Sequence, residues 1–184
     1  YGGYINDIRD SGRHLLDLIN DILDLSKIEA GRMELNEEVV DVREAITRCT
    51  QLLSAAADKG GVTLTTELPN EPVYLLADAR CLKQIILNLV SNAVKFTPLK
   101  GTVAVQVLEH DAGDVEISVT DTGIGMAPES IAVAMEPFGQ VDSTLARRFE
   151  GTGLGLPLVK SLAELQNARF ELESELGVGT TARI

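Results

Sequence analysis

The sequence predicts an α+β fold: a two-layer α/β sandwich, with one sheet covered by helices on one face, preceded by a long amphipathic helix. Three observations carry this prediction. The stretches "TVAVQVLEH" and "VEISVTD" alternate apolar and polar residues around a "DAGD" turn, the pattern of a hairpin. Asp41 and Asp78 each stand directly before a helical run, where a carboxylate can cap the first free N–H groups. The opening segment repeats apolar or small residues at 3-4-3-4 spacing through Ile5, Ile8, Gly12, Leu15, Ile19, Ile22 and Ser26.

In that opening helix Leu16, Leu18, Leu23 and Leu25 widen the stripe beyond a two-stranded seam, as in a helical bundle. Gly31, in "EAGRMEL", stops it. "EEVVDV" reads as a short strand. A helix follows from Val42 to about Lys59, ended by Gly60 and Gly61. "VTLTTEL" and "VYLLA" read as strands around the "PNEP" turn. The helix after Asp78 runs from Ala79 to about Val94, and another runs from about Leu154 to Gln166. "ARFELESE" and "GTTARI" are two final strands. Between Met126 and Glu150 no period is visible, which marks a functional lid or a disordered loop.

Composition narrows the function. The 184 residues are enough for one sizeable core with an appendage. A net charge of −12 argues against nucleic acid as a partner, since that needs a basic face. Cys49 and Cys81 have no metal or redox spacing. No apolar run is long enough to span a bilayer, and there is no signal peptide, so the expected location is cytoplasmic, without membrane contact from this stretch. The abrupt ends read as those of a piece of a longer protein, whose parent could still be membrane-anchored.

Two glycine loops then ask for a ligand. "GTGLGLP" places Gly151, Gly153 and Gly155 ahead of a helix, where close backbone approach and the positive helix end favour phosphate. Pro157 in the first turn costs nothing there. The loop fits neither the Rossmann fingerprint nor the P-loop. "DTGIGM" follows a strand, so Asp121 can accept a hydrogen bond from an amine such as that of adenine, with Gly123 and Gly125 letting the base lie against the backbone; a simple turn aspartate is the plainer reading. On "QIILNLVSNAVKFT", Gln84, Asn88, Asn92 and Lys95 recur at helical spacing. Asparagine is disfavoured inside helices, and its carbonyl suits magnesium, while Lys95 can reach a phosphate. A plain solvated face is the competing reading.

These motifs give the chain a clear likeness. It resembles the catalytic, ATP-binding part of bacterial two-component histidine kinases, of the PleC/DivJ/DivL-like alphaproteobacterial group, on the nucleotide-binding fold shared with gyrase and Hsp90. "NLVSNAVKFT" looks like the N box, "DTGIGM" the first glycine box, "EPFGQVD" the F box and "GTGLGLP" the second glycine box, in the family's order. "LLDLINDILDLSKIEAGRMEL" is similar to the end of the second helix of the dimerisation bundle. The resemblance implies a bundle helix over 1–31 and a catalytic domain over 32–184 with its lid at about 126–150.

Carried over, it implies that Asn92 ligates magnesium with Asn88 close by, that Lys95 meets phosphate oxygens, and that Asp121, Gly123 and Gly125 form the adenine pocket. Gly151, Thr152, Gly153, Leu154 and Gly155 would cradle the phosphates of ATP and Phe138 would anchor the lid. Arg147 or Arg148 would contact the γ-phosphate. Hydrolases of this fold resemble one another in placing a glutamate where Asn88 stands; asparagine cannot act as a base, which favours transfer to a protein over hydrolysis. The implied partners are an upstream acceptor helix, a response regulator and a second copy through the bundle. A kinase-like scaffold without efficient transfer is the alternative. The family's His-Glu-x-x-Arg-Thr-Pro acceptor box is absent from the sequence, and His14 does not replace it. Gln166, Asn167 and Ala168 stand where His-Gly-Gly is usual, and Cys81 where arginine is common.

Overall fold

The structure, a computed structural model, describes residues 2–110, 113–139 and 151–184. The chain divides into two compact units, Tyr1–Glu34 and Leu35–Ile184. The first is helix α1 (Gly2–Glu29), closed at Gly31, whose φ of 63° lets the Arg32 N–H return to the Lys27 carbonyl. Ile8, Leu15, Leu16, Ile19 and Leu23 are exposed along α1, so its wide apolar stripe is not used up within this unit.

The second unit has the order β1 (Glu37–Asp41), α2 (Val42–Gly60), β2 (Thr63–Glu67), β3 (Tyr74–Asp78), α3 (Ala79–Phe96), β4 (Thr102–Glu109), β5 (Val115–Asp121), α4 (Pro128–Ala134), α5 (Gly155–Leu165), β6 (Glu171–Glu175) and β7 (Gly179–Arg183). Both expected caps form. The Asp41 carboxylate accepts from the N–H groups of Arg43 and Glu44, and that of Asp78 from Arg80 and Cys81. Gly61 ends α2 in the left-handed conformation.

The strands form two sheets rather than the single one expected. β1 and β3 pair antiparallel, with Val39 opposite Leu76. The larger sheet has the order β2-β4-β5-β7-β6, in which only β2 and β4 run parallel. The two strands flanking "PNEP" therefore belong to different sheets. On β4, Val103, Val105 and Val107 are buried and alternate with less buried Ala104 and Gln106. They meet Ile117 and Val119 of β5 under α3, which contributes Ile85, Ile86, Leu89 and Val90. α2 and α5 both pack on α3, α2 burying Val42 and Ile46 and α5 burying Leu158, Val159 and Leu162. Each such side chain contributes about 1.5–3 kcal/mol of burial. Cys49 and Cys81 form no disulfide and are 1% and 2% exposed.

The stretch after Met126 is not wholly without structure. α4 starts at Pro128, pre-set for a first turn, and buries no residue, so its short sequence carries no apolar period.

Candidate nucleotide site

Three chain segments converge at one end of α3. A Cβ added to Gly151 would stand 2.8 Å from the Lys95 Nζ, and one added to Gly155 would stand 3.3 Å from Asn92 Nδ2 and 4.0 Å from its Oδ1. The glycine loop thus lies along the polar face of α3, with Lys95 beside its start and Asn92 beside its end. α5 opens at that point with no side-chain cap, so its first N–H groups are offered to a ligand. Inside the loop the Leu154 N–H donates to Thr152 Oγ1 at 3.2 Å, and the Leu154 side chain is buried, which pegs the loop to the core.

One turn back on α3, the Asn88 Nδ2 is buried with no hydrogen-bond partner among the described residues. Such an orphan costs about 1–3 kcal/mol unless a ligand completes it. Turning the amide over presents its oxygen instead. Two amides and an ammonium beside a helix N-terminus are a donor set that fits a magnesium–phosphate group.

Asp121 ends β5 at the other side of the site. Its Oδ1 accepts from the Gly123 N–H at 2.8 Å and the Thr180 N–H at 3.3 Å, and its Oδ2 has no partner among the described residues. Burial pushes the carboxyl above its ordinary value of 3.8, while those two N–H groups pull it back down. Gly123 has no room for a side chain: an added Cβ would stand 2.6 Å from Asp121 Oδ1 and 2.7 Å from the Phe96 carbonyl. Gly125, with φ 61°, passes so close to the β6–β7 hairpin that a Cβ would lie 1.9 Å from the Glu175 carbonyl.

The hairpin is stitched to this loop. The Met126 N–H donates to Ser174 Oγ at 2.8 Å, the Gly177 N–H to the Ile124 carbonyl at 2.8 Å, and Ser174 Oγ lies 2.8 Å from Thr180 Oγ1. Sequence reasoning missed Ser174 and Thr180. Only the register that sets Thr180 opposite Asp121 reveals them, although "GVGTT" hints at a tight turn feeding a strand.

The segment after α4, where the sequence predicts a lid, touches the same loop. The Phe138 N–H donates to the Gly153 carbonyl at 3.0 Å, and Phe138 itself has φ 62° with an exposed ring. Of the expected site residues, Asn88, Asn92, Lys95, Asp121, Gly123, Gly125, Phe138 and 151–155 are thus located. Arg147 and Arg148, and the end of "EPFGQVD", lie outside the described residues.

Residues 77–184 match the family described as Histidine kinase-, DNA gyrase B-, and HSP90-like ATPase. The chain belongs to this ATPase family. All of the site residues just described lie within the matched range. The chain is 48% identical over its whole length to histidine protein kinase DivJ of Caulobacter vibrioides, of which it spans 30%. It is 40% identical to cell-division control histidine kinase PdhS of Brucella suis, again over its whole length, and spans 19% of that protein. Among solved structures, full-length ShkA in complex with AMPPNP matches 98% of the chain with a TM-score of 0.84 and 34% identity, the match covering 37% of that chain. Acinetobacter baumannii histidine kinase AdeS shares the fold, at TM-score 0.78 and 20% identity over 98% of the chain and 82% of its own. The ATPase domain is therefore of the histidine-kinase type, as its motifs imply.

Proposed function

We propose that this chain is the ATP-binding catalytic part of a sensor histidine kinase, with residues 1–31 as the end of its dimerisation bundle, 32–184 as the catalytic domain and about 126–150 as its lid. It passes the γ-phosphate of ATP to a side chain on an upstream bundle helix, for relay to a response regulator. The observation that carries this reading is the meeting of Lys95 and Asn92 with an uncapped, glycine-rich helix start. The AMPPNP bound to the similar ShkA supports nucleotide as the ligand.

Asp121 accepts the adenine amine on its free Oδ2, and Gly123 and Gly125 shape the pocket by letting this loop pass close against Phe96 and the β6–β7 hairpin. Gly151, Thr152, Gly153, Leu154 and Gly155 cradle the phosphates at the uncapped start of α5, Lys95 neutralises them, and Arg147 or Arg148 contacts the γ-phosphate. Asn92 would hold magnesium, with Asn88 beside it; when bound, that ion neutralises charge on the transferring group. Asn88 offers no base to water, so positioning directs the phosphoryl group to protein instead. Phe138 anchors the lid on Gly153.

The exposed apolar stripe of α1 supports assembly of a homodimer through the bundle. A cytoplasmic location accords with the described helices, none of which is long and apolar enough to cross a membrane.

The test is calorimetry of Mg-ATP on the chain, then γ-labelled ATP with the upstream helix supplied in trans. The expected result is ATP binding and label on the helix. Binding without label would make the chain a signalling scaffold, and absence of binding would overturn the reading.

A further inference from the structure

α3 and α5 lie antiparallel: Gly155 at the start of α5 faces Asn92, and Gln166 just past its end reaches the start of α3. There the Asp78 N–H donates to Gln166 Oε1 at 2.9 Å. Among the described residues, no other side-chain hydrogen bond ties α5 to another element. The rest of its grip is apolar packing through Leu158, Val159, Leu162 and Ala163, which is non-directional and tolerates small slides along the groove. A hydrogen bond is directional and does not.

The anchor at the other end of this bond is fixed in turn. The side chain of Asp78 is 1% exposed; its Oδ1 accepts from the N–H groups of Arg80 and Cys81, and its Oδ2 from the Asn36 N–H and the Arg80 guanidinium. Asp78 is thereby held by α3, by the chain entering β1 and by its neighbour Arg80, and it does not move independently.

We infer that Gln166 is a positioning residue: by locking the far end of α5 to Asp78 it sets the register of α5 on α3, and so the placing of the glycine loop against Asn92 and Lys95. The inference rests on the nucleotide reading above. The distance spanned is about 17 Å, the length of the helix. The base end of the site supplies an internal control. Asp121, Gly123 and Gly125 are fastened to β7 and the β6–β7 hairpin through Thr180, Gly177 and Ser174, and none of these bonds passes through α5. Loss of the Gln166 bond should loosen the phosphate end and spare the base end.

The experiment is Gln166→Met in the full chain, which removes the acceptor and keeps the length. Mg-ATP affinity should fall about three- to tenfold, the scale of one hydrogen bond, while adenosine affinity stays unchanged. Hydrogen exchange of the ligand-free chain should speed up at the Leu158 amide in the first turn of α5, and not in β5 or β7. Equal weakening of both ligands, weakening of neither, or faster exchange confined to residues 163–168 would overturn the inference. If the unsubstituted chain bound no ATP, the nucleotide reading would fall instead, and the exchange pattern would still decide whether Gln166 sets the register of α5.

Discussion

Replacing Asp121 by asparagine separates binding from folding. The Oδ1 position of Asp121 is committed to the N–H groups of Gly123 and Thr180, and an asparagine oxygen can keep both. On the proposed base contact, the free Oδ2 becomes an NH2 group, a donor facing the donor amine of adenine. One hydrogen bond is lost and one donor is left unpaired, a cost of about 1–3 kcal/mol, or about five- to 150-fold in ATP affinity. Discrimination against GTP should shrink, since the guanine carbonyl suits the new donor. Stability should move the other way. The folded carboxyl titrates above its ordinary 3.8 because of burial, so the folded state holds its proton longer than the unfolded chain does. The stability this lends at acid pH is lost as pH rises through that window, and near neutral pH the buried charge is a net cost. Asparagine removes it, so the variant should melt no lower than the parent near neutral pH. Calorimetry with ATP and GTP, together with melting curves across pH, gives both quantities. Unchanged ATP affinity in a folded variant would remove Asp121 from the site, and destabilisation equal at every pH would refute the burial argument.

Three further substitutions test other parts. Gly125→Ala puts a methyl group 1.9 Å from the Glu175 carbonyl at a positive φ, and should cost about 2 kcal/mol or more in denaturant unfolding together with most ATP affinity. Asn92→Asp keeps an oxygen beside Gly155 but adds a negative charge near the phosphates; phosphotransfer assays should show a loss of more than about tenfold while the melting temperature stays within a few degrees. Asp78→Ala removes a helix cap and leaves the Asn36 N–H unpaired, for about 2–4 kcal/mol near neutral pH. The Arg80 guanidinium, with the N–H groups of Asn36, Cys81 and Arg80, holds the Asp78 carboxyl far below its ordinary 3.8. Its contribution is thus present above 3.8 and fades as pH falls further, so urea titrations should show parent and variant converging in acid.

The helices and the hairpin were readable because their signals are local. Asp41 and Asp78 cap within three residues, and β4 and β5 meet across a short turn. The pairing of Thr63 with Thr102, and of Val39 with Leu76, joins residues 39 and 37 positions apart, and no local pattern encodes such choices. α4 stayed hidden because it buries nothing. At the site, the N-box and glycine residues announced themselves by being costly where they stand: asparagines in a helix, glycines clustered beside one. Ser174, Thr180 and Gln166 are ordinary residues on ordinary elements. Their roles come from register and from contacts between distant parts of the chain, Asp78 and Gln166 being 88 positions apart.

The two cysteines give the folded chain a built-in clock. Cys49 on α2, whose thiol meets the Lys83 carbonyl of α3, and Cys81 on α3 are almost completely enclosed, and burial lifts the Cys49 thiol above its ordinary value, against a smaller opposite pull from Lys83. A closed, protonated thiol is a poor nucleophile. Alkylating reagents should therefore pass over the native molecule and mark it only when these helices part, so that the rate of modification counts openings of the catalytic unit without any added dye or engineered probe.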